Sequence, residues 1–297
     1  YSSVTMDRAR AEAAVAALAG PTGMTLQATA EAIIKVAISN MFVEVNKLLG
    51  RYGVDPGDFC LMPFGGAGPM LGCLLARELG MARVMIPRRP GVVSALGGLI
   101  ADVKNDFVST VFLDLAPDAA GALQAAGAAL RDRAEAWLRD GQGFAGAPTR
   151  HFLADMRYRG QSFEIEVPLD ESWIEVGDIA AAAAAFHRRH VAVYDFADPD
   201  ADVQIVNLRL IIVGATSPPV FAATARADGT PAKLRDVTVW HDGAPTPMQL
   251  FLRDDLRHGH RLSGPAIIAQ EDTTICIPAG FHGEVDAWGN LHLAWQE

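Results

Sequence analysis

A chain of 297 residues, half of them hydrophobic and a fifth charged, has the composition of a soluble globular protein and length enough for two or three domains. Its net charge of −10 argues against a general nucleic-acid binder, and no apolar run approaches the ~20 residues that a membrane helix needs. No cationic apolar signal segment opens the chain, and three scattered cysteines in apolar contexts (Cys60, Cys73, Cys276) argue for reduced, buried thiols and a cytoplasmic setting.

The first hundred residues alternate helix and strand. Ile34, Ile38, Met41, Val45 and Leu48 recur at helical spacing within 25–53, Lys35, Ser39, Glu44, Lys47 and Arg51 give that helix a wetter side, and Gly53 stops it. Asp55-Pro56-Gly57 is a turn. The apolar run 59–64 predicts a strand buried on both faces. Gly65, Gly66 and Gly68 follow, and Pro69 sits in the first turn of a helix over 70–79, where its missing N–H costs little. A short buried strand at 83–87 and an apolar helix within 90–103, whose Gly97-Gly98 pair admits a close backbone, complete an α/β lobe.

Beyond Asp106 the texture changes. A strand at 107–115, an Ala-rich helix at 117–139, two strands around the hairpin signal Arg159-Gly160-Gln161, a second Ala-rich helix at 177–190 and a long strand at 202–214 predict an α+β domain. Residues 215–232 are rich in Pro, Ala, Thr and Gly and read as a linker or long loop. Short strands at 236–241, 247–252, 265–269, 273–278, 282–287 and 290–295 predict a small antiparallel barrel or sandwich. The division is therefore 1–105, 106–214 and 215–297.

The stretch FGGAGPML (64–71) carries the first chemical question. It fails as a dinucleotide fingerprint, because Leu71 stands where the third glycine belongs and no acid follows at a ribose position. It fails as a P-loop, because no Lys-Ser or Lys-Thr follows and Pro69 removes a donor that a phosphate would use. Two readings remain: a tight strand–helix turn packed on a neighbour, or bare backbone at the carboxyl end of a strand, against which adenine or ribose can lie.

Other polar groupings have plainer readings. His187 and His190, at i and i+3, form a possible metal pair without an evident third ligand, so a solvated helix face is the simpler assignment. His258 and His260 read as turn residues, and residues 271–274 (EDTT) as a turn closed by side-chain to backbone bonds. On the hairpin, alternation puts Asp155, Arg157 and Arg159 on one face, with Gln161 and Glu164 nearby. This is either a solvated hairpin with an Arg–Asp pair or a hydrogen-bonding surface for an amide, a ketone or a partner subunit.

The stretch from Asp55 to Val108, with ADMRYRGQSFEIEV, FHRRHVAVYDFADPDADVQIVNLRL and GPAIIAQEDTTICIPAGFHGEVDAWGNLHL in the same order, resembles the hydantoinase A/5-oxoprolinase family. That family includes ATP-dependent hydantoinases, 5-oxoprolinases and the nucleotide-binding subunits of acetone and acetophenone carboxylases. The resemblance implies an actin-like (ribonuclease H-like) α/β ATPase half-lobe, followed by the α+β and small antiparallel β domains. It implies ATP, with adenosine against Gly65, Gly66, Ala67 and Gly68, and phosphoryl transfer to an amide, a ketone or bicarbonate. Asp155, Arg157 and Gln161 become a candidate surface for substrate or partner, and no catalytic residue or metal ligand is assigned. The family's Asp-x-Gly-Gly-Thr phosphate motif is missing; Asp228-Gly229-Thr230 copies it only superficially, and Asn46 stands where many relatives have Arg. With Tyr1 as first residue, the chain reads as a C-terminal portion, inactive alone, with the Mg²⁺ ligands expected in a missing N-terminal half. That half and a B-type subunit are the implied partners; the alternative is a non-catalytic docking module for that subunit.

Overall fold

The computed structural model describes residues 7–227 and 229–295. Two hydrophobic cores organise them, one in residues up to Leu99 together with those from Val220 onward, the other in Ile100–Pro219.

The first unit opens with helices α1 (Arg8–Thr22) and α2 (Leu26–Tyr52). The Thr25 hydroxyl accepts the Ala28 N–H at 3.2 Å, and Gly53, at φ 62°, ends α2 in the left-handed conformation that glycine adopts without cost. Only Thr29 and Ile38 of α2 are buried, whereas Ile33, Val36, Val43 and Leu48 face solvent. The apolar run at 59–64 yields just a two-residue strand, β1 (Cys60–Leu61), and Phe59, Cys60, Met62 and Phe64 are exposed. This corrects two expectations, the strand covered on both faces and the full set of buried thiols. The reason is position: β1 is the edge of its sheet. Helix α3 (Gly68–Leu79) ends at Gly80 (φ 72°), β2 (Arg83–Ile86) runs parallel to β1, and α4 (Val93–Ile100) buries none of its residues, with Leu99 76% exposed.

The second unit is an antiparallel sheet with helices on one face. Strand β3 (Val103–Asp114) leads to α5 (Ala120–Ala136), extended by a π-helical turn at Trp137–Gly141; β4 (Thr149–Tyr158) and β5 (Ile165–Leu169) form the hairpin, and α6 (Glu171–Val176), α7 (Ile179–Tyr194) and β6 (Val203–Gly214) complete the unit. The sheet order is β3-β6-β4-β5. Phe152, Ala154, Met156 and Tyr158 alternate inward along β4 and meet Leu123, Leu130, Ile174 and Phe186 from the helices.

The chain then returns to the first unit. An irregular stretch follows Gly214, in which Asp228 lies outside the described residues. Seven strands come next: β7 (Arg235–His241), β8 (Ala244–Leu252), β9 (Arg261–Ser263), β10 (Ala266–Ala269), β11 (Thr274–Ile277), β12 (Phe281–Val285) and β13 (Leu291–Trp295). They do not form a separate antiparallel domain. Strand β13 pairs with β2, giving a sheet β1-β2-β13-β12-β9, while β11-β10-β8-β7 form a second sheet in which β8 and β10 are parallel. Helix α3 packs against β2 and β11, with Cys73, Ala76 and Leu79 in the same core as Ile86, Ile275 and Leu293. The expected three-part division becomes two units, because the first lobe's sheet and core are completed by strands some two hundred residues later.

Candidate functional site

The glycine loop joins β1 to α3, and each glycine has its own physical role. Gly65 has φ 82°, the left-handed region that side chains rarely adopt. A Cβ at Gly68 would just touch Pro63, and one at Gly72 would collide with the Pro63 ring, so at Gly72 the absence of a side chain lets α3 lie on the loop's buried proline. Gly66 is different. Its φ is not positive, and a Cβ there would meet only the Asp272 carbonyl, at 3.7 Å. Gly66 and Ala67 are exposed. Helix α3 starts at this point without a side-chain cap.

Distant residues hold this loop in place. The Gly65 N–H donates to the Pro90 carbonyl at 2.8 Å. The Thr273 hydroxyl, in a buried residue, donates to the Gly66 carbonyl at 2.7 Å, and the Gly91 N–H donates to Asp272 Oδ2 at 2.9 Å. Gln270 Nε2 donates to the Arg88 carbonyl at 3.0 Å. The turn at 271–274 thus ties down the glycine loop and the 88–92 turn, beyond the local role its sequence suggests. Asp272 Oδ1 and Gln270 Oε1 are buried there without a partner among the described residues. Nothing local in EDTT signals these contacts; they follow from β11 running beside α3.

Asp155, Arg157 and Gln161 belong to the second unit. Asp155 and Arg157 do share the outer face of β4, but they do not pair with each other. Arg157 donates to Gln204 Oε1 (3.0 and 3.2 Å) and Glu164 Oε1 (3.1 Å), whereas Asp155 Oδ2 accepts from Asn207 Nδ2 (3.0 Å) and lies 3.4 Å from Arg209 Nη2. Gln161 closes the hairpin by accepting the Tyr158 N–H at 3.2 Å. A bulge makes the row possible. Asp155 is opposite Asn207 while Met156 is opposite Ile205, so Val206 is extra and Gln204 and Asn207 emerge on the same face despite their odd spacing.

The histidine pair departs from the solvated face expected of it. His190 is 2% exposed, surrounded by Tyr158, Phe186, Tyr194 and Phe196, and its Nδ1 lies 2.7 Å from the Phe196 carbonyl, which only a proton on Nδ1 satisfies. The Tyr158 hydroxyl accepts the Asp198 N–H at 2.7 Å and so donates to His187 Nδ1 at 3.0 Å. Both Nδ1 atoms are committed, and among the described residues no group of three or more His, Cys, Asp or Glu side chains could hold a metal ion. Burial, and then the neighbouring His190, push the His187 pKa below the usual imidazole value, against a smaller upward pull from Asp198. With the folded pKa depressed, the unfolded chain takes up the proton first, so the stability due to neutral His187 is complete above about pH 6.5 and is lost as pH falls through the lower folded value. The denaturation midpoints of wild type and His187→Asn, which keeps an acceptor near Nδ1, are expected to converge between pH 7.5 and 5.5; a constant gap contradicts this account. His258 and His260 do lie in a turn, with Gly259 at φ 88° between them.

Residues 2–107 match the sequence profile described as Hydantoinase/oxoprolinase, and residues 114–295 match that of the Hydantoinase/oxoprolinase C-terminal domain. The chain belongs to the hydantoinase/oxoprolinase family. Caprolactamase subunit alpha of Pseudomonas jessenii is 29% identical over 93% of this chain and 41% of its own length. The crystal structure of that organism's ATP-dependent caprolactamase superposes with a TM-score of 0.70 at 26% identity, over 99% of this chain and 44% of the other. 5-Oxoprolinase 1 of Arabidopsis thaliana is 28% identical over 91% of this chain and 21% of its own length. A nucleotide-free structure of acetone carboxylase shares the fold, with a TM-score of 0.82 at 24% identity, covering 99% of this chain and 44% of that one. This member of the family therefore spans less than half the length of these relatives. Among its described residues, no helix is long and apolar enough to cross a membrane.

Proposed function

We propose that this chain supplies the adenosine-binding wall of an ATP-dependent enzyme of the hydantoinase/oxoprolinase family, a hydrolase of cyclic amides or a carboxylase. The supporting observation is the open backbone at Gly66 and Ala67, where a strand meets a helix and no side chain stands between main chain and solvent. A planar base or a ribose can lie on such backbone at van der Waals distance. In this reading the N-terminal residues, to about 105, are part of an actin-like lobe. Gly65 sets the turn, Thr273 and Asp272 hold it against the 88–92 segment, and Gly66 and Ala67 present the surface. ATP, when bound, would supply a phosphoryl group for an amide or bicarbonate oxygen, giving the electrophilic carbon a better leaving group, or for an enolate oxygen, trapping the ketone in its enol form. The Mg²⁺ and phosphate ligands are assigned to residues outside this chain.

Two partners fit. Phe59, Met62, Phe64, Val92 and Leu99, with Ile33, Val36, Val43 and Leu48 of α2, are exposed apolar side chains of the first unit, and an N-terminal half like the extra length of the relatives is their proposed cover. The ordered polar face carrying Asp155 and Arg157, with Gln161 at the hairpin, is the proposed contact for substrate or a B-type subunit. The test compares two samples with Mg-ATP. The 297-residue chain alone is expected to show neither a burst nor steady turnover, and the intact protein is expected to bind ATP and turn it over when given a cyclic amide or ketone. Substrate-stimulated turnover by the chain alone overturns the division of labour, and absence of ATP binding by the intact protein overturns the nucleotide reading.

A further inference from the structure

The first unit also contains a pocket of about 330 Å³ lined by Arg88, Arg89, Arg253, Leu256, Arg257 and His258. The lining holds four arginines and one carboxylate, Asp254, which lies 3.6 Å from Arg89. This concentration of positive charge occurs in a chain whose net charge is −10. The fold builds the pocket from four separate segments. Arg88 and Arg89 follow β2, and the Arg88 N–H donates to Asn290 Oδ1 at 3.1 Å. Arg253 sits in the 3₁₀ turn after β8. Thr224 and Ala225 are tied in by Thr224 N–H donating to the Ala287 carbonyl at 2.8 Å, and His258 Nδ1 lies 3.1 Å from the Thr224 carbonyl. Gly289 lets the Arg88 stem pass, since a Cβ there would lie 2.9 Å from Arg88 Cδ.

Arg253 decides the reading. It is only 5% exposed, one Nη donates to the Gly289 carbonyl, and Nε is buried with no acceptor among the described residues. A buried guanidinium with an unmet donor, beside two more arginines, is costly unless something anionic faces it. Asp286, nearby, is already committed, accepting from the N–H groups of Trp288 and Asn290 and the Asn290 side chain, with His292 at 3.0 Å. Burial first, and then Arg88 and Arg89, pull the Arg253 pKa down to about 10, so at neutral pH it stays charged. The guanidinium fork matches the oxygens of a phosphate better than it matches a halide or a lone water. The volume lies at the lower end of the ~300–1,000 Å³ common for small-molecule sites.

We infer that the pocket bounded by Arg88, Arg89, Arg253 and Arg257 is an oxyanion site for a phosphate dianion, free or as the monoester end of a small molecule. The inference does not rest on the adenosine reading: Gly66 and Ala67 are not among the pocket's lining residues, although Arg88 and Arg89 belong to the turn that is hydrogen-bonded to the glycine loop. The test titrates inorganic phosphate, and in a parallel arm glycerol 3-phosphate, into the intact protein by calorimetry, for wild type, Arg89→Gln/Arg257→Gln, Arg253→Lys and Gly66→Val. Arg89 and Arg257 are exposed, so the double variant is expected to keep its melting temperature without ligand while losing at least about tenfold in phosphate affinity. Arg253→Lys, which keeps charge but loses the fork, is expected to lose a similar factor, and Gly66→Val to lose none. Tighter binding of the monoester identifies a phosphorylated small molecule as the ligand, and equal binding identifies free phosphate. No saturable heat at about 10 mM of either probe, or equal affinity in wild type and double variant, overturns the inference.

Discussion

Gly66→Val in the intact protein is expected to weaken ATP binding by a few kcal/mol, on the scale where ~1.4 kcal/mol is tenfold, and to leave the ligand-free melting temperature within a few degrees of wild type. The two halves of that expectation have separate physical grounds. Folding tolerates the change because a Cβ at Gly66 meets only the Asp272 carbonyl, at ordinary contact distance, and because this residue does not need positive φ. Binding does not tolerate it, because a branched side chain fills the space over the backbone that a base or ribose would occupy. Two neighbouring glycines serve as controls. Gly65→Val forces a β-branched residue into φ 82°, and Gly72→Val drives a side chain into the Pro63 ring, so both are expected to lower the melting temperature. Calorimetric titration of ATP beside a thermal melt separates the cases. Unchanged affinity in Gly66→Val with a large fall in melting temperature would reduce the loop to a packed turn.

Phe186→Ala is expected to have the largest effect on stability, about 3–5 kcal/mol, read from chemical denaturation of the second unit. Phe186 is fully buried on α7, and its ring packs edge-on against Tyr158 at 4.8 Å between centroids. It also touches the rings of His187 and His190. Removing it empties the centre of an aromatic cluster whose hydrogen bonds, Tyr158 to His187 and His190 to Phe196, depend on the rings staying in place. A loss below about 1 kcal/mol would mean that the surroundings collapse into the space, contrary to the rigid network described here.

Local chemistry was legible in the sequence wherever one segment contained its own reason. Thr25 and Gly53 bracket α2, Pro69 and Gly80 bracket α3, and the alternation of Phe152, Ala154, Met156 and Tyr158 against Asp155 and Arg157 sets the faces of β4, because caps, ring constraints and side-chain period act within a few residues. The order of family motifs along the chain was equally readable, and family membership with it. Contacts between distant segments were not. That the run at 59–64 becomes an exposed edge strand depends on which strands are present to cover it. That the expected third domain completes the first lobe depends on β13 lying beside β2, and that EDTT anchors the glycine loop depends on β11 running along α3. The bulge at Val206 and the burial of His190 likewise arise from pairing and packing partners. The ends of α2 and α3 and the alternation along β4 could be read from the chain because those energies are local. Which polar groups meet and which apolar groups stay uncovered could not be read there, since hydrogen bonding and burial are properties of neighbours in space.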